Sequence, residues 1–356
     1  MISVIIVNYH SAHLIKRAVE SVFQENENIE VFIVDNTTTA EEQEHLCKIF
    51  DAEKVNLIFN EHNVGFARAC NQAFSLSRGE FIFLLNPDAY VIPPCLGILR
   101  EFMENMPRAG SVSPILYWDD AMTYLFPNSF PPSPVQDFFR ELSRISPSFG
   151  YLYSHWGKRR NLKLWRSSLP VKAKNLSGGT VMLRRDAIEA AGGLFDEQFF
   201  LFYEDNDLFL RLRKEGYRLY FVPHAKAVHR YAHLALKLDI MAQSRELYYK
   251  KHFSNHFLRR ISACLPHYFP TTEYPDSGSW NTPPSFSVPF ELRKGYLFEW
   301  SPNHLFIPSV GFLGKGETFI FSEEIWHSLE KGDYYSRFSD DRTLFSHNRI
   351  FLWRKG

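Results

Sequence analysis

The sequence is poor in cysteine: 356 residues hold Cys47, Cys70, Cys95 and Cys264, with no C-x-x-C pair. Their spacing fits no zinc pattern and reads as buried thiols in a reducing compartment. Net charge is also lacking, since 40 Lys and Arg offset 40 Asp and Glu, so no global field favours nucleic acid or an anionic membrane. No run approaches the roughly 18 apolar residues of a membrane span. The N-terminus lacks the basic and long apolar regions of a signal peptide. A cytoplasmic protein is expected, with peripheral contact at the inner face of the cell membrane left open. Finally, no G-x-G-x-x-G follows the first apolar run, which argues against a dinucleotide site and hydride transfer.

What is present is an alternation of strand and helix patterns. Residues 2–7 are apolar and largely β-branched apart from Ser3, as in a strand buried on both faces of a parallel sheet. A helix pattern over 12–24, a strand over 31–34, a polar helix over 40–50, a strand over 56–59, a helix over 66–76 and a strand over 81–85 follow. This predicts a doubly wound α/β sheet with right-handed crossovers. Ligands of such sheets sit at the carboxyl ends of the strands, where Asn8, Tyr9, Asp35, Asn36, Asn63 and Asp88 fall. Residues 117–175 are interrupted by prolines and read as a partly mobile excursion over the active face. Regularity returns at Ser177–Leu183, and a strand over 219–222 precedes His229. Residues 235–265 read as one helix, and short aromatic strands follow. The expected division is 1–235, a helical connector 236–268, and a β-rich module 269–356.

The chemistry rests on a few side chains. Asp88 ends a strand after Asn86-Pro87 and is either a cap or a carboxylate ligand for Mg²⁺ or Mn²⁺, with Asn86 adding a neutral oxygen. Asp35 is either a loop residue or the acceptor for a pyrimidine N–H, and Tyr9 could stack on that base. Asn63 and Arg68 bring an amide and a cation to the third strand end. Gly178-Gly179 is a tight turn or a place where backbone passes close to a ligand. The run Tyr203-Glu204-Asp205-Asn206-Asp207-Leu208 puts three carboxylates within four positions, for helix capping or for proton transfer. His229, with His224 and His233 as competitors, is structural or a Mn²⁺ ligand.

Taken in order, Val4–Tyr9, Val34-Asp35-Asn36, Asn63-Val-Gly65, Leu85-Asn86-Pro87-Asp88, Ser177-Gly178-Gly179, Gly193–Glu197 and Glu204-Asp205-x-Asp207-Leu208 resemble the family 2 glycosyltransferases with a GT-A fold, especially their bacterial rhamnosyltransferase-like branch. The resemblance covers about residues 1–235. It implies a mixed, Rossmann-like sheet and inverting transfer from a nucleotide-diphosphate sugar, dTDP-rhamnose or a UDP-sugar, assisted by Mn²⁺ or Mg²⁺. The acceptor implied is a glycan or lipid-linked hydroxyl in cell-surface polysaccharide synthesis. By position, Tyr9 and Asp35 look like nucleoside-binding residues, Asp88 like the last aspartate of the D-x-D metal motif, and His229 like a metal-binding histidine. Asp205 matches the catalytic base and Glu204 its neighbour, which leaves Asp207 to helix capping. The departure is Asn86, where the strict motif has Asp.

The competing reading is an inactive GT-A protein that serves as a carbohydrate-binding or scaffold module. The basic, aromatic segment 244–260 is either packed on the GT-A domain or turned to a membrane. The β-rich tail is a candidate for acceptor recognition or a homodimer contact.

Overall fold

The computed structural model describes residues 1–51, 53–230, 238–265, 273–340 and 350–356. Its contacts divide the chain into two units, residues 1–116 with 167–252 and residues 117–166 with 253–356. The division expected from sequence kept 117–166 with the first domain. Its boundaries at 235 and 268 lie outside the described residues.

The first unit is the expected doubly wound α/β layer. Strand β1 (Ile2–Asn8) is buried at every position, and its one polar interruption, Ser3, donates to Glu30 Oε1 at 2.5 Å. It pairs in parallel with β2 (Ile29–Asp35), which pairs with β3 (Val55–Phe59), and on its other side with β4 (Phe81–Leu85). Helices α1 (Ala12–Phe23), α2 (Ala40–Ile49) and α3 (Phe66–Leu76) connect successive strands. Helix α1 buries Ile15, Ala18, Val19 and Val22, the i, i+3, i+4, i+7 stripe that its sequence carries. A short β5 (Ala89–Ile92), helix α4 (Cys95–Asn105) and β6 (Ala109–Tyr117) follow.

The chain next forms β7 (Tyr124–Leu125), α5 (Pro134–Ile145) and α6 (Pro147–Trp165). The irregular excursion expected here is largely helical. Two of its prolines stand at helix starts, each after a serine N-cap, Ser133 and Ser146, where a missing N–H forfeits no bond.

Back in the first unit come β8 (Val171–Ala173), β9 (Thr180–Arg184), α7 (Arg185–Ala190), α8 (Glu204–Lys214), β10 (Arg218–His229) and α9 (Leu238–Phe253). Strand β9 lies antiparallel to β4, which makes the sheet mixed, and β10 pairs with β5, β6 and β8. The strand expected to stop at 222 therefore runs on to His229. Its Pro223 follows the segment that pairs with β8.

The helix expected over 235–265 is two helices, and its first residues, 235–237, lie outside the described ones. It breaks after Phe253, and α10 (Phe257–Cys264) restarts with His256 as N-cap, Nδ1 accepting the Leu258 N–H at 3.3 Å. In the second unit, α10, expected as part of the connector, is followed by a β-rich C-terminal part. Strands β11 (Asp276–Trp280), β12 (Ser285–Ser287), β13 (Tyr296–Ser301), β14 (Val310–Gly314), β15 (Thr318–Ile320), β16 (Gly332–Asp340) and β17 (Ile350–Lys355) form it with helix α11 (Glu323–Ser328). Its larger sheet runs β11-β17-β16-β13-β14-β7. Phe298, Trp300, Phe319, Phe321, Trp326 and Trp353 fill its core. The abundance of Phe therefore serves packing here.

Candidate active site

The carboxyl ends of the first unit's parallel strands gather polar groups because each apolar run ends in an Asn or Asp. Asn8 and Asp35 are in register across β1 and β2 and both are fully buried. Asn8 Nδ2 donates to Asp35 Oδ1 at 2.8 Å, and Thr37 N–H donates to the same oxygen at 3.0 Å. Among the described residues Asp35 Oδ2 is buried without a hydrogen-bond partner. A buried carboxylate oxygen in this state can accept a further donor. Asn8 Nδ2 also reaches Glu42 Oε1 at 3.0 Å, which fixes the amide's orientation. Tyr9 lies one residue beyond, about half exposed (49%), with its ring edge-on to His10.

The third strand end is organised internally. Asn63 Oδ1 accepts the Gly65 N–H at 3.0 Å, and Asn36 Nδ2 donates to Gly65 O at 3.2 Å. Gly65 has φ +87°, and a Cβ there would come within 2.6 Å of Phe200 O. Phe66 N–H donates to that carbonyl at 2.7 Å, so this loop is tied to the segment leading into the acidic motif. Asn63 is thus a turn-forming residue of its own loop. Arg68 pairs at the surface with Glu197 at 3.3 Å.

Asp88 stands between β4 and β5. Because β5 pairs with β10 in the register Ala89↔His229, the histidine is delivered beside it. Asp88 Oδ1 lies 3.2 Å from His229 Nε2, and Asn86 Nδ2 lies 3.4 Å from the same nitrogen. His229 is buried and Asp88 mostly so (19% exposed). His224 is exposed on the same strand, and His233 lies outside the described residues.

Gly178 and Gly179 are sites of close approach, and what approaches is the protein itself. A Cβ at Gly178 would sit 2.7 Å from Asp205 Cβ, and one at Gly179 2.5 Å from Asn86 Nδ2. The two glycines therefore thread between Asn86 and the acidic helix start. Gly178 N–H donates to Asp205 Oδ2 at 3.0 Å, and Asn86 N–H donates to Gly179 O at 2.7 Å.

Helix α8 begins after two residues in the left-handed region, Phe202 (φ 69°) and Tyr203 (φ 67°). Such backbone in bulky residues is strained and is held by its surroundings. Asp205 Oδ1 accepts Asn206 N–H at 2.7 Å and Asn206 Nδ2 at 2.6 Å. Poor access to water pushes the Asp205 carboxyl above its usual range, against the lowering by the Gly178 and Asn206 donors. Glu204 is buried, and burial followed by the charge of Asp205 raises its carboxyl well above the usual range. Its Oε2 is buried without a hydrogen-bond partner among the described residues. Among the described residues neither carboxylate makes an ion pair.

Asp207 differs from its expected role. It caps nothing; it is fully buried and contacts Arg211 Nε at 2.7 Å, Lys251 Nζ at 2.8 Å and His252 Nε2 at 2.7 Å. Although burial opposes ionisation, donation by His252 and Lys251 and the charge of Arg211 hold its carboxyl far below the usual range. Arg211 also donates to the carbonyls of Ala191, Gly193 and Leu194. Lys251 reaches Asp196 at 2.6 Å as well. Sequence reasoning missed Arg211, Lys251 and His252. The i, i+4 spacing of Asp207 and Arg211 was a usable signal; the partners on α9 had none.

The sequence pattern of glycosyl transferase family 2 matches residues 3–192. An N-acetylglucosaminyl-diphospho-decaprenol L-rhamnosyltransferase of Mycobacterium tuberculosis is 26% identical over 245 residues, 65% of this chain and 77% of that protein. A dTDP-rhamnosyl transferase of Shigella flexneri is 25% identical over 216 residues, 60% of this chain and 63% of that protein. A crystal structure of GalNAc-T7 with UDP, GalNAc and Mn²⁺ superposes with a TM-score of 0.51 over 75% of this chain and 52% of that chain. At 15% identity this last likeness concerns the fold, which is GT-A. With the pattern extending over more than half of the residues, and the ordered strand-end motifs inside it, the chain belongs to glycosyl transferase family 2 and is a glycosyltransferase.

Proposed function

We propose that this chain transfers a sugar, with inversion, from a nucleotide-diphosphate sugar to a hydroxyl of a glycan or lipid-linked acceptor, with Asp205 as the base. The observation that carries the reading is the state of Asp205. It is a carboxylate with raised proton affinity, aimed by two backbone N–H groups, joined through Gly178-Gly179 to Asn86, whose amide stands 3.4 Å from His229 Nε2, and without a cation among the described residues. A carboxylate kept only as a helix cap needs neither the proton affinity nor that neighbour.

The donor set suits a divalent ion. A carboxylate oxygen and an imidazole nitrogen stand 3.2 Å apart. Adjacent ligands of an octahedral ion at about 2.1 Å stand about 3 Å apart. No group of three or more His, Cys, Asp or Glu that could hold a metal occurs among the described residues. Diphosphate oxygens and water would then complete the shell, as Mg²⁺ and Mn²⁺ sites commonly arrange. Asp88 and His229 would hold the ion, with Asn86 beside them. When bound, it supplies positive charge against the departing diphosphate.

The chain's own residues do the rest. Asp35 Oδ2 accepts a base N–H of uracil or thymine, and the exposed Tyr9 ring offers a face for stacking. Asp205 removes the acceptor proton as the new bond from acceptor oxygen to anomeric carbon forms. The bond from that carbon to the phosphate oxygen breaks on the opposite face, and the nucleoside diphosphate leaves with its electron pair. Alignment of the reacting groups supplies a large share of the acceleration. The rhamnosyl relatives favour a dTDP-rhamnose donor, with UDP-sugars next.

A panel of dTDP-, UDP- and GDP-sugars, assayed with Mn²⁺ for nucleotide release, tests this directly. Release from a dTDP- or UDP-sugar is expected, and release from GDP-sugars alone contradicts the Asp35 assignment. Asp88→Ala should weaken metal-dependent nucleotide binding; unaltered metal dependence removes Asp88 from the metal site.

A further inference from the structure

Helix α6 shows one continuous exposed line: Phe149, Leu152, Trp156, Arg159 and Lys163. The spacings of three and four residues place these side chains on a single helix face. Phe149 is 43% exposed, Leu152 57% and Trp156 43%. Helix α10 repeats the arrangement with Phe257 (64%), Arg260 and Ile261 (43%). Helix α5 packs against both and exposes Val135 and Phe139, four residues apart. Isolated exposed apolar groups are ordinary, but aligned rows on three helices of one unit mark an interaction surface.

The charge around these rows identifies the partner. Between Pro147 and Trp165, and between Phe257 and Cys264, there are six Lys and Arg residues and no Asp or Glu, while α5 is balanced, its Asp137 and Glu141 ion-paired with Arg140 and Arg144. The whole chain is balanced at 40 against 40, so this excess is local. Of the six, Lys158 is buried, Arg160 is half-buried against Phe130 and Trp156, Arg259 is half-buried, and Arg159, Lys163 and Arg260 are exposed beside the apolar rows. A second copy of the same surface would face its own positive charge, which disfavours self-association. A nucleic acid would leave the apolar rows unused. Amphipathic helices with aromatic and Leu residues beside Lys and Arg suit the interface of an anionic bilayer.

We propose that the exposed faces of α6 and α10 dock this protein on an anionic phospholipid surface. Trp156, Leu152, Phe149 and Phe257 enter the headgroup region, and Arg159, Lys163 and Arg260 meet lipid phosphates. The membrane contact considered from sequence was the segment 244–260. On α9, Ser244, Tyr248 and Tyr249 are buried, whereas Phe257 and Arg260 of the same segment lie on the exposed face of α10. Among the described residues no helix is long and apolar enough to cross a membrane. The inference stands apart from the transferase reading, because its test measures binding and not turnover.

The test is sedimentation of the full-length protein with vesicles of phosphatidylcholine alone and of phosphatidylcholine mixed with phosphatidylglycerol. Binding to the anionic vesicles, released by added salt, is expected. Leu152→Glu with Trp156→Glu should reduce it to the phosphatidylcholine level. Arg159→Gln with Lys163→Gln should weaken it about thirtyfold, at about 1 kcal/mol for each cation near the surface. All four side chains are exposed, so both variants should keep the wild-type melting temperature. If the glutamate variant fails to fold, the glutamine variant carries the test. Absence of binding to anionic vesicles overturns the proposal, as does undiminished binding by a folded variant. A wild-type dimer that the glutamate substitutions convert to monomer would assign the face to a second copy instead.

Discussion

Two buried acidic regions of this chain are treated in opposite ways. In the second unit, Glu299 is fully buried and accepts Arg337 Nε at 2.7 Å and Ser309 Oγ at 3.1 Å. Arg337 in turn donates to Ser154 Oγ at 2.6 Å and stacks on Phe306. Lys158 lies buried nearby, with its ammonium pushed down to about 8 by burial against the pull of Glu299. In the first unit, Glu204 is buried with Asp205 half-buried beside it, and among the described residues neither has a cation. Burying charge without compensation is unfavourable, so a fold keeps it only where something else requires it. Asp207 sharpens the lesson from two residues away, since its three basic neighbours make it structural.

The largest effect expected from breaking this contrast is at Glu299. Arg337→Met strands that carboxylate and should cost about 3–5 kcal/mol of unfolding free energy in a denaturant titration. Asp207→Asn should cost less, about 2–3 kcal/mol, because Lys251 keeps some access to water. The Asp207 carboxyl is depressed in the folded state, so its contribution is present above the unfolded value near 4 and is lost as pH falls below it. Melting curves of wild type and Asp207→Asn should therefore converge in acid.

Much of the site was legible because of a physical regularity. An apolar run buried on both faces gives way to polar residues where its strand ends, as at Asn8 and Asp35, themselves buried, and in the turn after β4 that carries Asp88. Gly178-Gly179 was legible as a place of close approach, but the approaching groups, Asp205 and Asn86, come from elsewhere in the chain. The pairing of Asp207 with His252 spans 45 residues and has no local pattern. Pro134 and Pro147 misled because proline breaks a helix interior yet opens a first turn, and only the preceding Ser133 and Ser146 distinguish the cases.

The smallest effect should come from the uncompensated pair. Glu204→Gln should change stability by less than about 1 kcal/mol at acid pH, because a buried neutral carboxyl and an amide differ little. The Glu204 carboxyl is raised in the folded state, so wild type loses stability as pH rises from about 4 toward neutrality. The variant should lose less over that range and become relatively more stable at neutral pH. Destabilisation there as large as that of Arg337→Met would equate the two regions.

The central claim is that Asp205 is left without a cation among the described residues because it takes the acceptor proton. Turnover and nucleotide affinity of Asp205→Asn, measured side by side with wild type, test it most directly. The account predicts a fall in turnover of about 10²–10⁴-fold, the usual share of general base catalysis, with nucleotide affinity within several-fold of wild type. Near-normal turnover, or a loss explained entirely by weaker nucleotide binding, would contradict it.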